Sequence, residues 1–239
     1  RPRMRLPSTL LRVLGMVVFT ALIAGAIVLG LLALLPFGRR RRVLFTNAMG
    51  TVLGRGVVGL AGSRVTVYGR EHARAGRPVL YANNHTSTLD AFLTIWLTPR
   101  GTVGLAKKEI VYYPFYGLAW WLSGHPLIDR SNPDRARASM RALGELVRKW
   151  GFAVCLLPEG TRSRDGRLLP FKKGIVHLAI QTRLPIVPMV TIGAAGAWDK
   201  GSAVLRRREI EVRFLPPVDT TGWSLDAIDH HLEELRMRF

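Results

Sequence analysis

Pro78-Val79-Leu80-Tyr81-Ala82-Asn83-Asn84-His85-Thr86-Ser87-Thr88-Leu89-Asp90-Ala91-Phe92-Leu93-Thr94-Ile95-Trp96-Leu97 changes its period halfway along. Pro78–Ala82 is a short apolar run and reads as a strand. Leu89–Leu97 is apolar at helical spacing. Between them lies a polar turn. A strand that runs through such a turn into a helix is half of a βαβ unit, and it places the turn at the strand's C-terminal end, where sites gather in α/β folds.

The same alternation continues on both sides. Arg64–Tyr68, Thr102–Ala106, Phe152–Leu157, Ile186–Thr191 and Glu209–Phe214 read as strands. The last alternates strictly, with Ile210, Val212 and Phe214 on one face. Pro114–Leu122 and Gly174–Thr182 read as helices. Asn132-Pro133-Asp134 supplies a cap, a first-turn proline and an acid for a helix that stops at Gly151. Ser224–Arg238 reads as an amphipathic helix with Leu225, Ile228, Leu232 and Leu235 aligned. Strands alternating with helices predict an α/β fold, a layered mixed sheet with flanking helices.

The chain ahead of these elements has another character. Of 239 residues, 35 are Lys or Arg and 16 are Asp or Glu, a net charge of +19. Eleven arginines and no lysine precede the first acid, Glu71, yet that segment is strongly apolar. A nucleic-acid arm would be basic and polar; basic and apolar together point to a membrane. No charge falls between Arg12 and Arg39, and Val13–Gly38 would be roughly 39 Å long as a helix against a hydrocarbon core of roughly 30 Å. It is too long for a secretory h-region and no clean cleavage site follows, so a retained anchor is expected. Arg1, Arg3, Arg5 and Arg12 balance Arg39 to Arg42, so the flanks give no orientation. They suit a single span or a helix pair, about 8–36 and 39–60, resting on the cytoplasmic leaflet. The chain thus divides into an N-terminal anchoring helix or helix pair (1–60) and an α/β domain (61–239).

Three clusters carry chemistry. His85, in the turn, and Asp90, in the first turn of the helix, can face one another. The carboxylate would fix the imidazole tautomer and leave the other nitrogen to take a proton from a hydroxyl. No Gly-x-Ser-x-Gly elbow is present, so the base has no nucleophile of its own. That suits an activated acyl donor, a thioester, attacked directly by the acceptor hydroxyl. Taken alone, the histidine could equally cap a turn. The second cluster, Leu157-Pro158-Glu159-Gly160-Thr161-Arg162-Ser163 with Lys172 and Lys173, offers a close backbone approach and a guanidinium fork suited to phosphate; a solvated charged loop has the same composition. Glu159 would order Arg162 or meet an acceptor hydroxyl. The third, Gly124 to Arg130, ends an apolar strand, and Asp129 and Arg130 also read as a surface pair.

Together these blocks resemble the glycerolipid acyltransferases, and within them the lysophosphatidate acyltransferases. Asn84, His85 and Asp90 match Asn-His-x4-Asp. Gly124, Ile128 and Arg130 match the second block, with Leu127 where Phe is usual. Pro158 to Ser163 match the third, with Leu157 in place of Phe, and Ile186-Val187-Pro188-Met189 match the fourth. Lys107-Lys108-Glu109 and Pro114-Phe115-Tyr116-Gly117 also look like family features. The resemblance implies His85 as general base, Asp90 as its orienting partner, and Arg130, Glu159, Gly160, Thr161 and Arg162 at the acceptor. Lys107 and Lys172 would add charge to the same pocket. It implies a lysophospholipid acceptor, acyl-CoA or acyl-carrier protein as donor substrate, and no further cofactor or metal. The partners expected are a lipid bilayer and these substrates, not nucleic acid. The location expected is the inner membrane, with the catalytic domain in the cytoplasm.

Competing readings keep the chemistry and change the acceptor to glycerol-3-phosphate, another lysophospholipid, a lyso-ornithine lipid or a glycosylated lipid. A non-catalytic basic membrane protein is the reading of another class. Gly54-x-Gly56-x-x-Gly59 spells a dinucleotide fingerprint but follows no strand, so it is read as helix packing. Cys155 is read as a core residue, His230-His231 as solvent-facing, and Trp120 and Trp121 as either interfacial anchors or core.

Overall fold

A computed structural model describes residues 6–73, 78–113, 116–199 and 204–239. Arg1, Arg3 and Arg5 of the N-terminal flank, and Pro114 and Phe115, lie outside them. The chain runs α1 (Leu6–Ala33), α2 (Arg39–Leu60), β1 (Arg64–Tyr68), α3 (Arg70–Ala73), β2 (Leu80–Asn83), α4 (Leu89–Leu97), β3 (Thr102–Gly104), β4 (Ala106–Lys107), a 3₁₀ turn (Lys108–Tyr112), α5 (Tyr116–Ser123), β5 (Leu127–Ile128), α6 (Pro133–Trp150), β6 (Ala153–Leu156), α7 (Gly174–Thr182), β7 (Ile186–Ile192), β8 (Glu209–Phe214) and α8 (Ile228–Arg236).

Six strands form one mixed sheet in the order β1-β8-β7-β2-β6-β3, and every pair is parallel except β7 with β8. Its central strands are apolar without alternation because both faces are covered. In β2, Leu80 and Ala82 join the core under α6 and α7, whereas Tyr81 joins the core under α2 and α4. Cys155 joins that second core, and burial pushes its thiol up to about 12. The outcome is helices on both faces of the sheet, the layered fold expected.

Two elements depart from the sequence reading. The strand expected over Thr102–Ala106 breaks at Leu105. Thr102–Gly104 pairs with β6, and Ala106–Lys107 turns away to pair with β5 in a two-stranded sheet. The Trp120 ring lies against Gly104, and the Gly104 amide bonds His125 Nδ1, so the chain is drawn off the edge of the main sheet. The C-terminal helix starts at Ile228, not Ser224. The Ser224 amide donates to His231 Nε2 at 3.2 Å, folding the chain back across the first turn and leaving Leu225 exposed. His231 is accordingly buried, stacked on Trp223 at 4.7 Å, not solvent-facing; His230 is exposed.

The N-terminal helices are long and apolar enough to cross a membrane. Yet α2 also packs into the core of the α/β domain, through Leu53, Val57 and Val58. A Cβ on Gly54 would meet Phe92 and Trp96 of α4, and one on Gly56 would meet Phe19 of α1, so the glycine pattern lets α2 pack between two helices. Midway along α2, Asn47 donates to Thr102 O at 2.8 Å and accepts from the Gly101 amide at 2.7 Å, which ties the helix to the edge of the sheet.

Candidate active site

Strands β2 and β6 are adjacent and parallel, so the turns that follow them open side by side. The β2 turn carries His85. Asn84 holds that turn against β7: its side chain accepts from the Thr191 amide at 2.7 Å and donates to the Thr191 carbonyl at 2.9 Å. Asn83 shares a buried network with Thr94 and Thr191. These pairings leave the turn little freedom.

Asp90 is fully buried in the first turn of α4. Its Oδ2 accepts from the Thr86 amide at 2.6 Å, the Ser87 amide at 2.7 Å and His85 Nδ1 at 3.1 Å. A carboxylate can only accept, so Nδ1 carries the proton and Nε2 presents a lone pair. The ring keeps 16% of its side-chain surface exposed, enough to reach a substrate. Oδ1 of Asp90 is buried without a hydrogen-bond partner among the described residues. Its charge is therefore directed at the imidazole and the two amides, and it would stabilise an imidazolium formed beside it.

The β6 turn braces the histidine from the other side. Glu159 is 1% exposed. Its Oε1 accepts from the His85 amide at 2.5 Å and its Oε2 from the Leu169 amide at 2.8 Å. Burial pushes this carboxyl upward, against the pull of its two amide donors. The Ser163 amide closes the bridge on His85 O at 2.8 Å. The sequence suggests Arg162 or an acceptor hydroxyl as the partner of Glu159. In the structure both oxygens accept from backbone amides, so Glu159 also ties the two loops together.

The cations gather around this turn. Arg162 donates to Thr88 Oγ1, just ahead of α4, which brings its guanidinium beside the His85 turn. Arg130, past the end of β5, donates to Gly160 O at 2.9 Å. Gly160 has φ +71°, and a Cβ there would lie 3.4 Å from both Arg130 Nη1 and Lys172 Cγ. The position thus takes glycine for its backbone, and the missing side chain lets the two cations close in. Thr161 is exposed on the same loop. Lys107 is peripheral, exposed on β4 opposite Ile128. Its neighbour Lys108 is the one that reaches inward, to Asp129 at 3.0 Å. Asp129 also meets Arg135 at 3.5 Å, so the Asp129–Arg130 pair read from the sequence gives way to these partners. Hydrogen bonds from Ser131 and then Lys108 hold the Asp129 carboxyl well below the usual range.

A cavity of about 720 Å³ begins at Arg130, Gly160 and Lys172 and runs between α6 and α7, where Met140, Leu156 and Ile180 line it. Arg137 and Arg141 of α6 and Lys173 line it as well, so basic side chains border an interior that is otherwise largely apolar.

The His85–Asp90 pair and the cationic turn thus lie side by side at the C-terminal edge of the sheet, and the cavity opens from the Arg130, Gly160 and Lys172 side of that turn. The family model described as Acyltransferase matches residues 64–192, the span that holds all of these parts. The chain belongs to the acyltransferase family. The 1-acyl-sn-glycerol-3-phosphate acyltransferase of Limnanthes douglasii is 42% identical over 217 residues, which cover 91% of this chain and 75% of that protein. The alpha form from Homo sapiens is 34% identical over 177 residues, 74% of this chain and 62% of that protein. The crystal structure of the 1-acyl-sn-glycerophosphate (LPA) acyltransferase PlsC from Thermotoga maritima superposes with a TM-score of 0.80 at 24% identity, covering 98% of this chain and 95% of that one, which shows the same fold. In this acyltransferase, the sequence points to His85, Asp90, the cations and, through the matched block, Asn84, but not to the contacts of Lys108 and Asp129 behind Arg130 or of Thr88 behind Arg162.

Proposed function

We propose that this acyltransferase moves a fatty acyl group from an acyl thioester to the free hydroxyl of 1-acyl-glycerol-3-phosphate and so forms phosphatidate. His85 Nε2 takes the hydroxyl proton as the oxygen attacks the thioester carbonyl. The new C–O ester bond forms, the C–S bond breaks, and the imidazolium returns the proton to the departing thiolate. Asp90 fixes the tautomer and offsets the transient positive charge. The observation that carries this reading is the hydrogen bond from His85 Nδ1 to a buried carboxylate, which leaves Nε2 open. Arg130 and Arg162, with Lys172 beside them, favour a phosphate-bearing acceptor over an uncharged one. The names of the relatives support lysophosphatidate in particular.

The donor is acyl-CoA or acyl-carrier protein, used as a substrate. The location that fits is the cytoplasmic face of the inner membrane: 35 basic residues against 16 acidic suit an anionic leaflet, and α2, bonded to the sheet through Asn47, keeps the catalytic domain at that surface. The test is transfer of labelled acyl groups by detergent-purified protein, each donor paired with lysophosphatidate and with glycerol-3-phosphate. Phosphatidate formed from lysophosphatidate supports the reading. Acylation of glycerol-3-phosphate alone would move the assignment to that acceptor.

A further inference from the structure

Four large side chains stand in solvent within ten residues: Tyr112 is 83% exposed, Tyr113 65%, Leu118 50% and Trp121 67%. A soluble surface rarely gathers so many, and such a patch marks a contact. Its chemistry is that of the bilayer interface, where tyrosine and tryptophan concentrate. The two neighbouring tryptophans divide the work. Trp120 turns inward, its Nε1 donating to Pro126 O at 3.2 Å and its ring against His125, whereas Trp121 points out.

The patch continues a larger apolar surface. On α5, Ala119 and Leu122 pack on Ile27 and Leu31 of α1. Leu118 and Trp121 lie on the adjoining strip of the same helix, one turn apart. The outer face of α1 presents Leu10, Leu14, Val18, Leu22, Leu29 and Leu32, all exposed and none charged. Arginines border the join: Arg39 and Arg42 donate to the carbonyls of Gly124 and Leu122 at the end of α5, and Arg40 and Arg41 are exposed beside them. An apolar strip, an aromatic edge and a cationic margin together fit one partner, an anionic bilayer surface.

We infer that residues 108–113 and 116–121 form a second bilayer contact beside α1, and that this contact sets the height of Arg130 above the membrane. The linkage is short. Lys108, at the start of the segment, bonds Asp129, whose neighbour Arg130 reaches Gly160. A lysolipid whose acyl chain stays in the bilayer then meets Arg130 with its phosphate at headgroup level. The contact stands on the surface alone; its effect on acceptor delivery rests on the lysophosphatidate reading.

Cys155 is the one cysteine and is buried, so a nitroxide on an introduced surface cysteine reports a single site. Full-length protein carrying Tyr112→Cys or Trp121→Cys is bound to phosphatidylcholine vesicles containing phosphatidylglycerol, with Leu14→Cys and Glu145→Cys as references. Labels at 112 and 121 are expected to collide with oxygen more than with a water-soluble nickel chelate, as at 14, while 145 shows the reverse. Nickel access at 112 and 121 with 14 still protected would overturn the contact. So would dipolar coupling between the 121 labels of two chains, which assigns the patch to a second copy. The triple variant Tyr112→Ser, Tyr113→Ser, Trp121→Ser then tests delivery. Its apparent KM for long-chain lysophosphatidate in vesicles is expected to rise roughly tenfold, with short-chain, water-soluble acceptor unaffected. Equal change on both acceptors would overturn the delivery role. Inactivity of the wild-type protein on both would count against the acceptor assignment and leave the label result standing.

Discussion

His85 and His125 are both held in turns beside the sheet, and the difference between them shows what suits one histidine to act as a base. His85 gives Nδ1 to a buried carboxylate and, among the described residues, keeps Nε2 open. His125 occupies both nitrogens: Nδ1 accepts from the Gly104 amide at 3.3 Å, and Nε2 stands 3.0 Å from Thr46 Oγ1. Burial, and after it the charge of Arg39, pushes its pKa down to about 4. It staples α2, β3 and the end of α5, a structural task. A catalytic imidazole needs one nitrogen fixed by an acceptor and the other free; a structural one needs both occupied.

Substitution should separate the two. The largest expected effect is His85→Ala, which should lower kcat by roughly 10²–10⁴-fold while the thermal midpoint moves little. Asp90→Asn follows. An amide can replace the acceptor for the two backbone amides but not the negative charge beside the imidazole, so kcat should fall about 10²-fold or more with the fold intact by circular dichroism. His125→Ala should do the reverse, costing about 1–3 kcal/mol in denaturant melts, with the activity of the folded fraction retained.

The comparison extends to pH. The unfolded chain protonates His125 near its ordinary 6.5, the folded chain only near 4. The folded value is depressed, so its contribution is full above about 6.5 and is lost as pH falls toward 4. Chemical denaturation of wild type should show that decline, and His125→Gln should flatten it. The smallest effect expected is on binding. Arg162→Ala should raise KM for a phosphorylated acceptor several-fold more than KM for the donor, because a guanidinium fork gains most from a phosphate. Equal changes in the two constants would remove the phosphate role.

Legibility in the sequence followed the range of the interactions. Leu89–Leu97, Gly174–Thr182 and Glu209–Phe214 appear where local periodicity puts them, and Asn132 caps α6 on the Arg135 amide as its sequence dictates. The break at Leu105 depends on His125, 21 residues from Gly104, and the late start of α8 on a bond from the Ser224 amide to the His231 side chain, seven residues away, which apolar spacing does not report. His85 and Asp90 are legible because they sit five residues apart. Glu159 is not, because its partners are the amides of His85, 74 residues away, and of Leu169, beyond its own turn. An acid in a cationic loop suggests a ligand; the fold adds that it also braces two loops.

Everything proposed for catalysis turns on Nε2 of His85 acting as the base for acyl transfer to a phosphate-bearing lysolipid. The most direct measurement is the pre-steady-state rate of phosphatidate formation by wild type and His85→Ala, both bound to vesicles containing lysophosphatidate and supplied with saturating acyl donor. The account predicts a rate that falls at least about a hundredfold in the variant, with lysophosphatidate affinity changed little. A variant that forms phosphatidate at close to the wild-type rate would contradict it.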